Sequence, residues 1–438
     1  MGALHSIYHL YRLNRRLFWP EDRLETLRRW KLFRLLEYCY QQIPYYQEQF
    51  KRIGAQPGDF RRPEDLVNFP VLEKETLRDR AEEFLDPEAD RRALIRHRSA
   101  GSTGIPLELL YHPSERLRMG FTVTRELLHS GLKPWYRQVN ITEPRHSAPK
   151  NRWYHRLGLM NEQFLSVYDQ SDLNLVRLKE IRPHLLIGFP SVLMVIGQEM
   201  ILNVSRPLRP KLLFTLAEVL TSEDRRVLAE QWGVEPIDLY GANEVGHIAF
   251  QCPLRREYHL NLDSLQVEII VGDRPAKVGE RGEVVVTNFD LRVMPIIRYR
   301  VGDIAQRIEG RCPCGCLLPL LGRIAGRSDG FIIAADGKSY SALEVSLLLK
   351  PVEGIKQYRL IQEEKGRVQV EWVAAGSDSN PQDEIRKTLQ ERLGEETSIE
   401  IRRLAQIPRE KSGKIRTVIS SLPHPFWRQP GMAEKNSS

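Results

Sequence analysis

No uninterrupted apolar run in this chain approaches the ~20 residues that a membrane-spanning helix needs, so no transmembrane segment is expected. The opening "MGALHSIYHLYRLNRRLFWPEDR" also lacks the unbroken apolar core of a secretory leader, and a cytoplasmic location is the expectation. Cysteine is scarce, five in 438 residues, with three of them inside "RCPCGC". That is too few and too clustered for a disulfide framework, and in a reducing compartment it points to metal binding or catalysis. The nucleotide P-loop pattern Gly-x-x-x-x-Gly-Lys-Ser/Thr is missing. Long Lys/Arg blocks are missing too: the net charge is +8, but acidic residues are interleaved throughout, so no nucleic-acid partner is expected. The basic, aromatic "YHLYRLNRRLFW" reads as a helix packed on the body in preference to a membrane-surface helix.

What is present describes an ordinary globular chain, 41% hydrophobic and 28% charged, long enough for two folding units. Helical spacing dominates the first part, broken at Pro44, with Cys39 among the inward positions. From about Arg96 to Gly246, short apolar runs such as "LLIGFP" and "PIDLYG" alternate with amphipathic segments such as "SEDRRVLAEQW", which predicts a layered α/β domain. The chain then turns β-rich over about 261–325, with "LQVEIIVG", "GEVVVTNF" and "MPIIRYRVGDIAQRI". After "GRSDG" strand and helix patterns alternate again, which predicts a small α+β C-terminal domain. The expected division is a large α/β N-terminal domain at 1–327, a small mobile domain at 328–425, and a polar tail at 426–438.

Four segments could carry chemistry, although each alone also reads as an ordinary turn. In "RSAGSTGIPLELLYH", glycines would let the backbone pass close to a polyanion while amides and hydroxyls donate to phosphate oxygens. "DLYGANEVG" sets an aromatic ring beside a glycine at a probable strand end, with Glu244 able to hold magnesium. "RYRVGDIA" offers Asp303 to sugar hydroxyls, and "PREKSGKIRT" offers Lys414 on a glycine-containing loop.

In this order, and with "GRSDG" between the third and the fourth, the segments resemble the adenylate-forming superfamily. "IPYYQEQF" and "GFPSVL" add a similarity to its phenylacetate-CoA ligase-like branch. The resemblance implies ATP-dependent activation of a small-molecule carboxylic acid as an acyl-adenylate, most simply followed by transfer to coenzyme A. Transfer to an amine, a hydroxyl or a carrier-protein thiol is the alternative, and a degenerate nucleotide-binding protein is a second. It further implies that Ser99, Gly101, Ser102, Thr103 and Gly104 hold the ATP phosphates, and that Tyr240, Gly241, Ala217 and Glu218 border adenine. Glu244 would position Mg2+, Asp303 and Arg327 would lie at the ribose, and Lys414 would approach the reacting carboxylate and α-phosphate. Two departures stand out: Ile105 replaces a lysine of many relatives, and the hinge near Asp329 reads "GRSDG" where "GRSDD" is frequent.

Cys252 and His259, before the β-rich strands quoted above, and Cys312 and Cys314, after them, resemble a metal site found in part of that branch. Zinc favours such sulfur and nitrogen ligands, and four protein ligands leave no open position, so the expected zinc is structural. Cys316 could replace Cys314, iron could replace zinc, and a nucleophilic role or plain thiols stay open. His247 faces either the acyl pocket or the surface or core. Arg145, His146 and Arg152 hint at an anionic or polar acid, or belong to a solvated loop.

Overall fold

The computed structural model describes residues 3–98, 107–142, 158–203, 207–327, 330–341, 345, 348–349, 352–376, 380–408 and 416–422. Two compact units emerge. Unit 1 takes in Met1–Glu268, Val285–Val301 and Ile308–Gly322, and unit 2 takes in Ile269–Val284, Gly302–Arg307 and Arg323–Ser438.

Unit 1 opens with α1 (Ala3–Arg16), α2 (Glu21–Gln42) and α3 (Pro44–Ile53), followed by the short α4 (Lys74–Asp79). Proline 44 occupies the first turn of α3, where its missing N–H is no loss, and Gly54 ends that helix in the left-handed region. Cys39 is fully buried in α2 beside Leu35 and Leu36. Strands β1 (Ile95–Arg98) and β2 (Glu108–Tyr111) then pair antiparallel. Helix α5 (Pro113–His129) starts with a reciprocal cap, in which the Ser114 amide donates to His112 Nδ1 and the His112 amide donates to Glu115.

The alternating region forms β3 (Gln138–Thr142), β4 (Glu162–Ser166), α6 (Ser171–Ile181), β5 (Leu185–Gly188), α7 (Pro190–Asn203), β6 (Leu212–Leu216), α8 (Ser222–Trp232) and β7 (Pro236–Ala242). Its strands run parallel in the order β4-β3-β5-β6-β7. Side chains two apart along a strand share a face. Accordingly Leu186 and Leu213 join one core with Val139, Ile141, Leu228 and Trp232, while Leu185, Ile187 and Phe214 join another with Leu17 and Leu127. Both faces of the sheet are therefore covered, as a parallel sheet requires.

After the parallel strands, antiparallel pairing takes over at β8 (Gly246–Cys252) and β9 (Arg255–Leu260), two strands left unassigned from sequence because Pro253 and a run of charges break their alternation. The remaining strands are β10 (Leu265–Val271), β11 (Arg274–Pro275), β12 (Arg281–Asn288), β13 (Tyr299–Arg307), β14 (Leu320–Arg327), β15 (Phe331–Ile333), β16 (Ser339–Ser341), β17 (Ile355–Glu364), β18 (Arg367–Ala374), β19 (Ser398–Arg403) and β20 (Val418–Ser420). Within unit 2, the order β19-β18-β17-β20 forms a sheet on which the helix Gln382–Leu393 packs Ile385, Leu389 and Leu393. Trp372 lies fully buried in that core. This is the expected small α+β arrangement. The proposed tail lies outside the described residues. No described helix is long and apolar enough to cross a membrane.

Candidate active site and metal cluster

Strand β7 is buried from Pro236 to Tyr240 and delivers its end to the tight β7–β8 turn that carries Glu244. Gly241 cannot be replaced there without movement: a Cβ would stand 2.8 Å from the Gly246 carbonyl oxygen and 3.1 Å from the His247 Cα. Glycine is thus required by close backbone approach. Tyr240 packs edge-on against Tyr258, with ring centroids 6.4 Å apart.

The turn is held from several directions. Tyr111 donates to the Asn243 carbonyl at 2.7 Å, and the Asn288 amide donates to the Val245 carbonyl at 2.9 Å. Glu244 itself is buried, and the Tyr299 hydroxyl donates to its Oε1 at 3.2 Å. Tyr299 is in turn fixed by its neighbour Arg298, a left-handed residue with φ 50°. The Arg298 guanidinium grips Glu268 at 3.1 and 2.9 Å and the carbonyls of Val67 and Phe69. Tyr111 and Tyr299 were not assigned roles from sequence. Their partners lie far away along the chain, and no local pattern signals them.

Ala217 follows β6 at φ 69°, a conformation that costs a non-glycine residue roughly 1 kcal/mol or more. Next to it, the Glu218 carboxylate accepts from both the amide and the hydroxyl of Ser191, each at 2.9 Å, and so caps the start of α7. In unit 2, Asp303 and Arg327 come together at 3.5 Å. Gly302, with φ 84°, leaves space for this: a Cβ there would lie 2.7 Å from the Arg327 guanidinium. Ser99, Gly101, Ser102, Thr103, Gly104, Ile105, Asp329, Lys414, Arg145, His146 and Arg152 lie outside the described residues. One Gly-Lys-Ser tripeptide does occur, at 337–339, but it sits at the β15–β16 hairpin turn and Ile332 stands where a P-loop needs its first glycine.

The β8–β9 hairpin and the "RCPCGC" loop build a second feature in unit 1. The ligand atoms of Cys252, His259, Cys312 and Cys314 all lie within 4.8 Å of one another. Cys252 and Cys312 sulfurs are 3.5 Å apart, and Cys314 Sγ is 3.4 Å from His259 Nε2. All of the cysteines are free thiols. Burial pushes the Cys252 and Cys314 thiols up, while burial and nearby His129 push His259 down to about 4, leaving a neutral imidazole. A cluster of two buried sulfurs, one half-buried sulfur and one neutral imidazole matches the donor set of a tetrahedral zinc site. Cys316 does not join this quartet. It falls with His129 and His259 in a separate group that shares the histidine.

Residues 332–421 match the CapK C-terminal domain family. The phenylacetate-coenzyme A ligase of Thermus thermophilus is 25% identical over 361 residues, covering 79% of this chain and 80% of that one. Protein CapK of Staphylococcus aureus is 21% identical over 441 residues, covering 94% and 93%. Among solved structures, 2-hydroxyisobutyryl-CoA ligase in its postadenylation state, bound to an acyl-AMP, superposes with a TM-score of 0.76 at 17% identity, covering 93% of this chain and 91% of that one. The fold is that of the adenylate-forming ligases. In sequence, the chain is similar to phenylacetate-coenzyme A ligases.

Proposed function

We propose that this chain is an AMP-forming acid–thiol ligase. A carboxylate oxygen attacks the α-phosphorus of ATP, the bond to the β-phosphate oxygen breaks, and pyrophosphate leaves. The coenzyme A sulfur then attacks the acyl carbon, loses its proton and displaces AMP. The observation that carries this reading is the Tyr240–Gly241–Glu244 turn, with Tyr240 and Glu244 buried, braced by Tyr111 and Tyr299, and set in the fold of acyl-CoA ligases.

In this reading Ser99, Gly101, Ser102, Thr103 and Gly104 hold the ATP phosphates. Tyr240, Gly241, Ala217 and Glu218 border adenine, and Asp303 and Arg327 take the ribose hydroxyls. Glu244 is the magnesium ligand, and a bound Mg2+ would neutralise phosphate oxygens as charge develops there. Lys414 lends a mobile ammonium to the same charge, the electrostatic help on which phosphoryl chemistry rests. Residues 328–425 act as a lid that turns near Asp329 between the two half-reactions. Cys252, His259, Cys312 and Cys314 bind zinc as a staple, and the cytoplasm would keep them reduced.

The test is pyrophosphate release by the purified protein with magnesium-ATP and a panel of carboxylic acids, followed by addition of coenzyme A. Carboxylate-dependent release, a new acyl-CoA, and a fall of about 10² or more on Lys414→Ala are expected. Absence of release with every acid, with Lys414→Ala indistinguishable from wild type, overturns the proposal.

A further inference from the structure

A buried polar chain runs through unit 1 that the adenylation chemistry does not use. Arg125 and Glu126, adjacent on α5, are both fully buried. Arg125 donates to Asp263 at 2.9 Å and to Asn261 at 2.7 Å, Asn261 donates to Glu126 at 2.7 Å, and Glu126 lies 2.7 Å from His247 Nδ1. Burying charges this way is costly unless every partner is present. Yet the chain does not end in the core. It ends on His247, a quarter of whose side chain is exposed.

His247 sits directly opposite Gly241 in the β7–β8 pairing and three residues after Glu244. With Nδ1 taken by Glu126, the ring orientation is fixed and its Nε2 edge is the one free to meet a ligand. Burial alone would push the imidazole pKa down, but the Glu126 carboxylate outweighs it and holds the pKa above the ordinary histidine value. A second cation comes from the same helix. The Arg116 guanidinium lies 5.4 Å from the Tyr111 ring centroid and reaches Met119, whose methyl group covers Gly246. Among the described residues, Arg116 has no carboxylate within ion-pair distance. Two cationic groups thus flank the motif turn, one anchored from behind by Glu126 and the other with no ion pair among the described residues.

We infer that Arg116 and His247 form a recognition pair for an acid carrying a second anionic group, so that the preferred substrate class is a dicarboxylic acid. This rests on the ligase reading above. Charge-assisted hydrogen bonds to a fixed imidazolium and a guanidinium would favour such an acid over its monocarboxylate counterpart. Glu126 is then a positioning residue, since it acts through His247.

The experiment compares acids of matched skeleton, hexanoate with adipate and phenylacetate with homophthalate, by pyrophosphate release in wild type, Arg116→Gln, Arg116→Lys, His247→Gln and Glu126→Gln. Thermal melts establish that each variant is folded. Wild type should favour the diacid in kcat/KM by about tenfold or more, equivalent to at least ~1.4 kcal/mol. Arg116→Gln and His247→Gln should each lose most of that preference through a raised KM for the diacid, and Arg116→Lys should keep part of it. Equal loss for both acids, or a raised KM for ATP in place of the diacid, assigns the pair to the nucleotide phosphates and overturns the inference. A wild type that turns over monoacids without favouring diacids overturns it while leaving the ligase reading in place. No release with any acid overturns both.

Discussion

Glu244 is buried, and its carboxylate has a hydroxyl donor in Tyr299. Removing that hydroxyl leaves an acceptor in a dry site, and a hydrogen bond to a charged group is worth about 1.5–3 kcal/mol. Tyr299→Phe should therefore lower kcat/KM for magnesium-ATP by about tenfold and raise the magnesium needed for half-maximal pyrophosphate release. A variant with unchanged magnesium dependence would reduce Tyr299 to a packing residue. Single residues also mark where sequence reading stops. Gly241 was singled out from its motif, and the structure supplies the reason in a backbone approach of 2.8 Å. Tyr299 stood inside the quoted "RYRVGDIA", but its partner is 55 residues away, and side-chain direction across that gap is not encoded in spacing. Arg116 and Glu126 were invisible for the same reason: on a helix they look like any charged pair until the sheet brings His247 to them.

At the scale of elements, the β8–β9 hairpin does two jobs. Its first residues face α5, and its far end supplies Cys252 and His259 to the sulfur cluster. The alternation of β3 to β7 with helices was legible because fully buried parallel strands leave continuous apolar runs. The hairpin was not, since "CPLRREYHL" has neither a continuous run nor a clean alternation, yet its cysteine and histidine were paired with "RCPCGC" through a resemblance. The geometry separates the two alternative sulfurs, Cys314 inside the quartet with Cys312, and Cys316 outside it. Cys312→Ser should release bound zinc and lower the melting temperature, whereas Cys316→Ser should retain near-stoichiometric metal on elemental analysis. Retention by both variants would remove the clamp.

For the whole molecule, the cores of the two units are distinct: Trp372, Leu360 and Ile385 belong to unit 2, and the sheet cores around Leu186 and Phe214 belong to unit 1. Every member of the sulfur–imidazole cluster lies in unit 1. Calorimetry should accordingly resolve two transitions, and a chelator should lower the unit 1 transition by about 5 °C or more while leaving the other in place. A uniform shift, or none, would place the metal's contribution elsewhere. The division into a large α/β part and a small α+β part was readable from the change in periodicity, but the assignment of strand segments near 269–284 and 302–307 to the smaller unit was not, because it depends on which strands touch.

The tight crossing at Gly241 also sets terms for anyone redesigning this protein. A position with no room for one carbon atom is closed to engineering, whatever a library offers it. Its cross-strand neighbour His247 stands in the opposite condition, partly open and tethered from behind by a single carboxylate. Redesign at this turn should therefore leave 241 untouched and begin at 116, because a change at 247 strips the fully buried Glu126 of a partner.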